Sequence, residues 1–216
     1  LPQGLHHLTP TISVHVFDAR DGVAHSDADE SHLWTRRTAA IAPSKNADGT
    51  TTKLELPTKS DINALVAGQL VVTVKQDWTA PSGQAFQTGD VIAWDLKAWL
   101  ADPKAEAKLV IRPTERQAVE GINATRNRLV VALFDNVRGS AQVYDPADWS
   151  HTTLTLPQNA TVGIGSASEE DDKVFVSVAG YLTPSSLYLA DAATGTTEVV
   201  KSLPAKFDAT GMTVDQ

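Results

Sequence analysis

Residues 174–216 read VFVSVAGYLTPSSLYLADAATGTTEVVKSLPAKFDATGMTVDQ, and this stretch decides the fold. It opens with an apolar strand at residues 174–178 and continues with a second strand at residues 186–190. Asp191 and Gly195 then mark a turn, and a third strand ends at Pro204. Apolar runs separated by turn residues are typical of antiparallel strands that follow one another along the chain. The stretch therefore predicts one antiparallel structural unit.

The same order of features recurs upstream, which indicates a repeat protein. Apolar core strands occur at residues 70–74 (LVVTV), 129–133 (LVVAL) and 174–178 (VFVSV). Each is followed by a strand that ends on an aspartate, at Asp95, Asp145 and Asp191, with spacings of 50 and 46 residues. The units close on prolines, at Pro57, Pro113, Pro157 and Pro204, with spacings of 56, 44 and 47 residues. Such a period, with several short strands in each unit, is typical of β-propeller blades.

The repeat predicts an all-β propeller of about four blades, each a four-stranded antiparallel sheet. The predicted blades occupy residues 8–57, 58–113, 114–157 and 158–204. Within the second blade, residues 76–90 predict a long polar loop, and residues 95–105 predict a short helix that Pro103 ends. The tail at residues 205–216 leaves the fourth blade without starting another.

The composition excludes several classes of function. The chain of 216 residues has a formal net charge of -8 and no basic stripe, so it predicts no nucleic-acid partner. It contains no cysteine, which excludes disulfides and thiolate metal ligands. No run of apolar residues is long enough to span a bilayer, so no membrane segment is predicted. The start without methionine and the end in mid-pattern indicate a piece of a longer protein.

The sequence predicts no metal and no cofactor. Five of the six histidines lie near the start, at His6, His7, His15, His25 and His32. They show no HExxH or HxH spacing, which favours ordinary surface and strand histidines over a metal site. The acidic run at residues 168–173 (SEEDDK) lacks the ligand spacing of a calcium loop and is interpreted as a solvated turn. The preceding GIGSAS has no following lysine and no helix to hold a phosphate.

No catalytic residue is predicted either. A serine nucleophile of an α/β-hydrolase sits in a GxSxG elbow, and this motif occurs nowhere in the chain. Among the tryptophans, Trp94 falls inside a repeat strand and is interpreted as core. Trp78 lies in the long loop and is interpreted as a candidate contact surface.

Longer phrases in the last three units point to a family. They are VVTVKQDW (71–78), GDVIAWDLKAWL (89–100), PTERQAVEGINATRNRLVVALFDNVRG (113–139), GYLTPSSLYLADAATG (180–195) and SLPAKFDATGMTVDQ (202–216). Together they resemble the propeller domain of the prolyl oligopeptidase family of serine peptidases, in a bacterial-type branch. The resemblance implies a seven-bladed propeller followed by an α/β-hydrolase domain with the catalytic Ser, Asp and His. This chain would then be the second half of the propeller, with residues 205–216 starting the link to the hydrolase domain.

The resemblance also implies a role and partners. In the family the propeller covers the active site and admits short peptides, so a non-catalytic gating role is expected here. The expected partners are the hydrolase domain and short peptide substrates of the parent protein, in the cytoplasm or periplasm of a bacterium. Two other classes stay open: a free-standing protein-binding propeller, although the WD dipeptide and paired glycines are absent, and a carbohydrate-active propeller with paired carboxylates.

Blade counting predicts how the isolated chain assembles. Neighbouring blades of a seven-bladed ring are about 51° apart, so four blades form an open half-ring of about 206°. The terminal blades would then expose apolar faces larger than monomeric proteins usually tolerate. The sequence therefore predicts a two-fold homodimer in which these exposed faces meet.

We expect the chain alone to have no peptidase activity, because it contains no nucleophile elbow. A chromogenic peptide cleaved after proline should remain intact, and a serine-reactive fluorophosphonate should leave the chain unlabelled. Covalent labelling of any serine would contradict this prediction.

Overall fold

The computed structural model describes residues 54–214 in full, together with four two-residue strands nearer the start of the chain. These strands are β1 (Val16–Phe17), β2 (Ala40–Ile41), β3 (Ser44–Lys45) and β4 (Thr51–Thr52). β1 pairs with β2, and β3 pairs with β4, both antiparallel. The predicted first blade lies mostly outside the described residues, as do the five N-terminal histidines.

Three four-stranded antiparallel sheets make up the described fold, and their strands follow chain order from one edge to the other. The first sheet consists of β5 (Ser60–Val66), β6 (Gln69–Val74), β9 (Val91–Asp95) and β10 (Lys108–Ile111). The second consists of β11 (Gln117–Ala124), β12 (Leu129–Asp135), β13 (Arg138–Tyr144) and β14 (His151–Thr153). The third consists of β15 (Ala160–Ala167), β16 (Lys173–Gly180), β17 (Ser186–Asp191) and β18 (Thr196–Ser202). The all-β prediction is confirmed.

The sheets pack face to face around a common axis. β5 contacts β11, and β11 contacts β15, so the first strands of the three sheets lie next to one another. These three are the inner strands. The last strands, β10, β14 and β18, lie at the outer rim. Across the described residues the sheets do not close into a ring.

The second strands of the first and second sheets are almost wholly apolar because both of their faces are buried. The second strand of the third sheet differs: Val174, Val176 and Val178 are buried, while Lys173 and Ser177 on its other face are exposed. In β6, Leu70, Val72 and Val74 point to one side of the sheet, while Val71 points to the other. β12 carries Val130 and Val131 in the same alternation, and both are fully buried. Full burial of one such side chain stabilises the fold by about 1.5–3 kcal/mol. The first and second sheets therefore each need cover on both sides.

The first sheet covers its outer face with its own insertions. The predicted long loop folds back as a hairpin of β7 (Trp78–Thr79) and β8 (Ala85–Phe86), and the predicted helix is α1 (Leu96–Ala101). The Asp95 carboxylate begins this helix by accepting from the backbone N–H of Ala98 at 2.8 Å. The short-helix prediction is confirmed.

Four aromatic rings join these insertions to the sheet. Trp94 stacks on Trp99 of the helix at 4.4 Å between ring centroids, and the ring of Trp78 lies 6.1 Å from those of Trp94 and Phe86. Trp94 is core, as predicted. The interpretation of Trp78 as a free contact surface is wrong, because its ring packs inward against the apolar cluster. A polar loop sequence gave no sign that the hairpin would turn this ring towards the sheet.

One glycine allows the second and third sheets to approach closely. A Cβ atom built on Gly139 of β13 would lie 2.6 Å from the backbone nitrogen of Val162 and 2.9 Å from the carbonyl oxygen of Ala160. Both neighbours are backbone atoms of β15, which cannot move without shifting the strand. Only glycine fits at this position.

We expect Gly139→Ala to lower the free energy of unfolding by about 1–3 kcal/mol, because the added methyl overpacks the contact between the two sheets. Gly121→Ala is the matched control, since a Cβ there would meet nothing within 4 Å. Urea unfolding of both variants measures the difference. If the two variants were equally stable, the second and third sheets would be able to move apart at this contact without lowering the free energy of unfolding.

Candidate functional site: the two loop edges of the propeller

The loops of the three sheets lie at two opposite edges, because antiparallel strands reverse direction at each step. We call the edge where one sheet passes to the next the connecting edge. It comprises residues 75–90, 112–116, 136–137, 154–159, 181–185 and 203–214. The opposite edge is the hairpin edge, which comprises residues 67–68, 96–107, 125–128, 145–150, 168–172 and 192–195. Backbone bonds join loops within each edge, from Lys75 to Lys59 at the first and from Leu96 to Gly68 at the second.

The connecting edge carries most of the exposed large apolar side chains. Of nine such side chains among the described residues, five lie in its loops: Val137, Tyr181, Leu203, Phe207 and Met212. Tyr181 is the extreme case, with 82% of its surface accessible. The described loops of the hairpin edge contain none. Apolar side chains concentrated on one side of a protein are typical of a surface that another domain or protein covers.

An ion pair fixes the loops of the connecting edge beneath these side chains. The Arg112 guanidinium donates two hydrogen bonds to the Asp90 carboxylate, from Nε at 2.9 Å and from Nη2 at 2.6 Å. The Asp90 side chain is 1% exposed and also accepts from the backbone N–H of Gln87 at 2.8 Å. The hydrogen bond to Asp90 raises the pKa of Arg112 above its already high value. Arg112 therefore remains positively charged and binds both oxygens of the Asp90 carboxylate.

The chain after the third sheet runs back across the connecting edge. Residues 212–214 line a groove of about 370 Å³ together with Gln158, Asn159, Leu182 and Thr183. Asn159 directly precedes the inner strand β15, whereas Leu203 directly follows the outer strand β18. The tail thus passes from the rim of the sheet towards its inner side.

The hairpin edge is instead a seam of hydrogen bonds between the second and third sheets. The Asp172 carboxylate accepts from the Thr125 hydroxyl at 2.8 Å, from the Asn127 backbone N–H at 2.8 Å and from Asn127 Nδ2 at 2.9 Å. The backbone N–H of Arg126 donates to the carbonyl of Asp171 at 3.0 Å. The acidic loop of one sheet therefore binds the turn of the next.

Two inner strands are also linked directly. Asn123 of β11 donates from Nδ2 to the carbonyl oxygen of Gly165 in β15, at 2.6 Å. The seam between the first and second sheets differs, since its described contacts are the apolar cluster around Val71, Val91 and Leu129. Within the described residues both seams thus contain an apolar cluster, and the seam between the second and third sheets adds directional hydrogen bonds.

Hydrogen bonding sets the protonation of the Asp172 clamp. Partial burial would raise the pKa of Asp172, but the bonds from Asn127 and Thr125 and the charge of Arg128 outweigh it and hold the pKa below 3.8. The carboxylate is therefore ionised at neutral pH and accepts all three bonds. Arg128 itself forms an ion pair with Asp145, at 3.2 Å.

The acidic run at residues 168–173 was interpreted as a solvated turn, and this is correct for Glu169 and Glu170, which are exposed. It is wrong for Asp172, whose oxygens are occupied by donors from the neighbouring sheet. Those donors lie 45 and 47 residues away in the sequence, beyond the reach of any local motif. The repeat could have indicated this contact. The acidic loop and the turn at residues 125–128 each join the first two strands of their unit, and the two units are adjacent.

Other functional features can be reported only for the described part of the chain. There, no three side chains of the types that bind metals lie together. No described helix has the length and apolar character needed to cross a bilayer.

Comparison with known proteins decides the family. Residues 43–203 match the family model of the prolyl oligopeptidase N-terminal β-propeller domain, which is about three quarters of the chain. This chain belongs to the prolyl oligopeptidase propeller family. The resemblance seen in the sequence is confirmed, and the fold is a partial propeller without a closed ring.

Two relatives are described as uncharacterized peptidases. The one from Sinorhizobium fredii, y4nA, is 40% identical over 180 residues, which is 82% of this chain and 25% of that protein. The one from Rickettsia prowazekii, RP174, is 20% identical over 142 residues, or 63% of this chain and 20% of that protein. The prolyl oligopeptidase propeller chain therefore spans about a quarter of the length of these relatives or less.

Solved structures share the fold. A post-proline cleaving enzyme from Rickettsia typhi matches with a TM-score of 0.65 and 21% identity, covering 79% of this chain and 25% of that enzyme. Prolyl oligopeptidase B from Galerina marginata matches with a TM-score of 0.55 and 15% identity, covering 79% and 24%. The match to the propeller of both enzymes agrees with the family assignment.

We expect Asp172→Ala to lower the free energy of unfolding by about 1–3 kcal/mol, because it leaves donors of the neighbouring sheet without an acceptor. Glu169→Ala is the control from the same loop, where the side chain is exposed. The folded-state pKa of Asp172 lies below its ordinary value, so its ionised form stabilises the fold fully at neutral pH, and this stabilisation is lost as pH falls towards the folded-state pKa. Urea unfolding at pH 7 and at pH 3 should therefore show a smaller difference between wild type and Asp172→Ala at the acidic pH. A difference that is unchanged between the two pH values would exclude the ionised clamp.

Proposed function

We propose that this chain is a non-catalytic part of the propeller of a prolyl oligopeptidase-type serine peptidase. In this role it restricts access to a hydrolase domain, so that short peptides reach the active site and longer or folded chains do not. The observation that carries the proposal is the connecting edge, whose exposed apolar side chains suit a surface that a second domain covers. Membership of the propeller family supports the same role.

Strand direction supports the connecting edge as the surface that faces the hydrolase domain. Every inner strand begins at this edge, as β5 does at Ser60, and every outer strand ends there, as β18 does at Ser202. A domain joined before an inner strand or after an outer strand is therefore joined at this edge. On this proposal, residues 205–216 form the start of the link to the hydrolase domain.

The inner strands suit a passage for peptides along the axis. Their exposed positions carry small or acidic residues, including Asp61, Ala118, Glu120 and Thr161, with Leu65 of β5 as the exception. Asp61 pairs with Lys75 at the connecting edge, at 2.9 Å. Small side chains leave room near the axis. Acidic side chains keep that space hydrated, which disfavours entry of the apolar core of a folded protein.

The polar seam between the second and third sheets supports gating by a rigid wall. Three hydrogen bonds to Asp172 and one from Asn123 bind these sheets at the hairpin edge and along the inner strands. The propeller can exclude a large substrate only if its sheets stay together when that substrate binds. The hydrogen bonds between the second and third sheets oppose their separation.

The test compares substrates of two sizes in the full-length peptidase that contains this propeller segment. Tyr181→Asp places a charge at the most exposed apolar position of the connecting edge. If this edge contacts the hydrolase domain, kcat/KM for an unfolded protein should rise several-fold relative to kcat/KM for a proline-containing tetrapeptide. The rise is expected because a loosened contact admits larger chains.

Ala147→Asp is the matched control, since it adds the same charge at an exposed position of the hairpin edge. It should leave the ratio unchanged. Val137→Asp makes the same kind of change at a second exposed apolar position of the connecting edge. The gating proposal is wrong if the ratio of the two kcat/KM values stays constant in both Tyr181→Asp and Val137→Asp. A rise of equal size in the control would show a general loosening instead of a contact at the connecting edge.

A further inference from the structure

The outer strand of the third sheet differs from the outer strands of the other two. β18 has 7 residues, whereas β10 has 4 and β14 has 3. Short edge strands are one way in which proteins prevent unwanted pairing, and β18 lacks that protection. Six of its seven residues are exposed, and Val199 and Val200 are 55% and 52% accessible. Among the described strands only β17 pairs with β18, so β18 forms the edge of its sheet.

The sequence of β18 is complementary to itself when reversed. It reads TTEVVKS over residues 196–202. An antiparallel copy centred between Val199 and Val200 places Glu198 opposite Lys201 of the second copy, and Lys201 opposite its Glu198. The same register pairs Val199 with Val200, and Thr197 with Ser202. Opposite charges, β-branched pairs and hydroxyl pairs are the cross-strand combinations that stabilise antiparallel sheets.

We propose that β18 is a homodimerisation edge. Two copies of the chain pair antiparallel through β18 about a two-fold axis between Val199 and Val200, which joins the two third sheets into one eight-stranded sheet. Such a contact uses the same surface on both copies and therefore closes at the dimer. The inference concerns the rim of the propeller and does not depend on the gating role.

The local shape of β18 is compatible with this pairing. The register between β17 and β18 shifts at Leu187 and Tyr188, which leaves Val200 as an extra residue of a β-bulge. Because of this extra residue, Glu198 lies opposite Leu189 and Lys201 lies opposite Leu187, so the two charged side chains share one face of the sheet although they are three positions apart. The two-fold register requires this, since residues that pair across antiparallel strands point to the same face.

The edge suits self-pairing better than the open face of the third sheet, where the sequence predicted the contact. That face carries Phe175, Leu187 and Leu189, which are already half-buried by their neighbours. The charged residues Lys173, Asp191, Glu198 and Lys201 are spread around these side chains on the face. Packing two such faces would bury these charges, whereas edge pairing brings Glu198 and Lys201 together at the rim.

Charge reversal tests the register. In Glu198→Lys the two copies place Lys opposite Lys, and in Lys201→Glu they place Glu opposite Glu, so each single variant should dimerise about tenfold more weakly than wild type. The double variant Glu198→Lys/Lys201→Glu restores both pairs and should recover the wild-type affinity. A mixture of the two single variants should form a heterodimer, since every cross-strand pair in it is then attractive. Sedimentation velocity over a concentration series measures all four.

Lys108→Glu on the outer strand β10 and Glu169→Lys in the acidic loop are the controls, since both are exposed charge reversals away from β18. Both should dimerise as wild type does. Far-UV circular dichroism and a urea midpoint on each variant confirm that the fold is kept.

Three results would overturn the proposal. The first is a wild-type chain that remains monomeric at every concentration. The second is a mixture of the single variants that associates no better than either alone. The third is loss of the dimer in Leu189→Gln, on the open face, together with normal dimers in the single charge variants.

Discussion

The structure depends on one constraint: the second strands of the first two sheets, β6 and β12, are apolar on both faces. Leu70, Val72 and Val74 need cover on one side of the first sheet, and Val71 needs cover on the other. A single sheet cannot provide both, so sheets must stack, and stacking repeated units is what the sequence period describes. The same constraint explains the insertions of the first sheet, where the hairpin of β7 and β8 and helix α1 pack on a face with aromatic rings.

Apolar stacking is common to both contacts between neighbouring sheets, and the polar contacts distinguish one from the other. The described contacts between the first and second sheets are apolar, which gives cohesion without direction. The second and third sheets add a carboxylate clamp at Asp172 and the bond from Asn123 to Gly165, which have defined geometry. Directional bonds fix the relative position of two sheets more narrowly than apolar contacts do. The molecule therefore combines one adaptable seam with one fixed seam.

Much of the fold could be predicted from the sequence because its signals are local. Continuous apolar runs located the core strands, and the spacing of apolar residues after Asp95 located the helix. The features that were missed depend on contacts between distant residues. In the sequence Trp78 belongs to a polar loop, and only the folded hairpin places its ring against Trp94. Asp172 is one of several neighbouring carboxylates, and only the packing of the sheets places it against Thr125. The connecting edge could not be predicted from the sequence, because the common side of its exposed apolar residues becomes visible only once the strands are paired.

Gly139 bears on the shape of the whole assembly. At Gly139 the second and third sheets approach closely because no side chain lies between them, whereas in their shared apolar cluster the side chains of Val143, Val162 and Val176 lie between them. Two surfaces held at unequal distances form a wedge. The angle between neighbouring sheets determines how many sheets complete a full turn. A residue that contributes no side-chain contact thus helps to set the curvature of the propeller, and with it the width of the space around its axis.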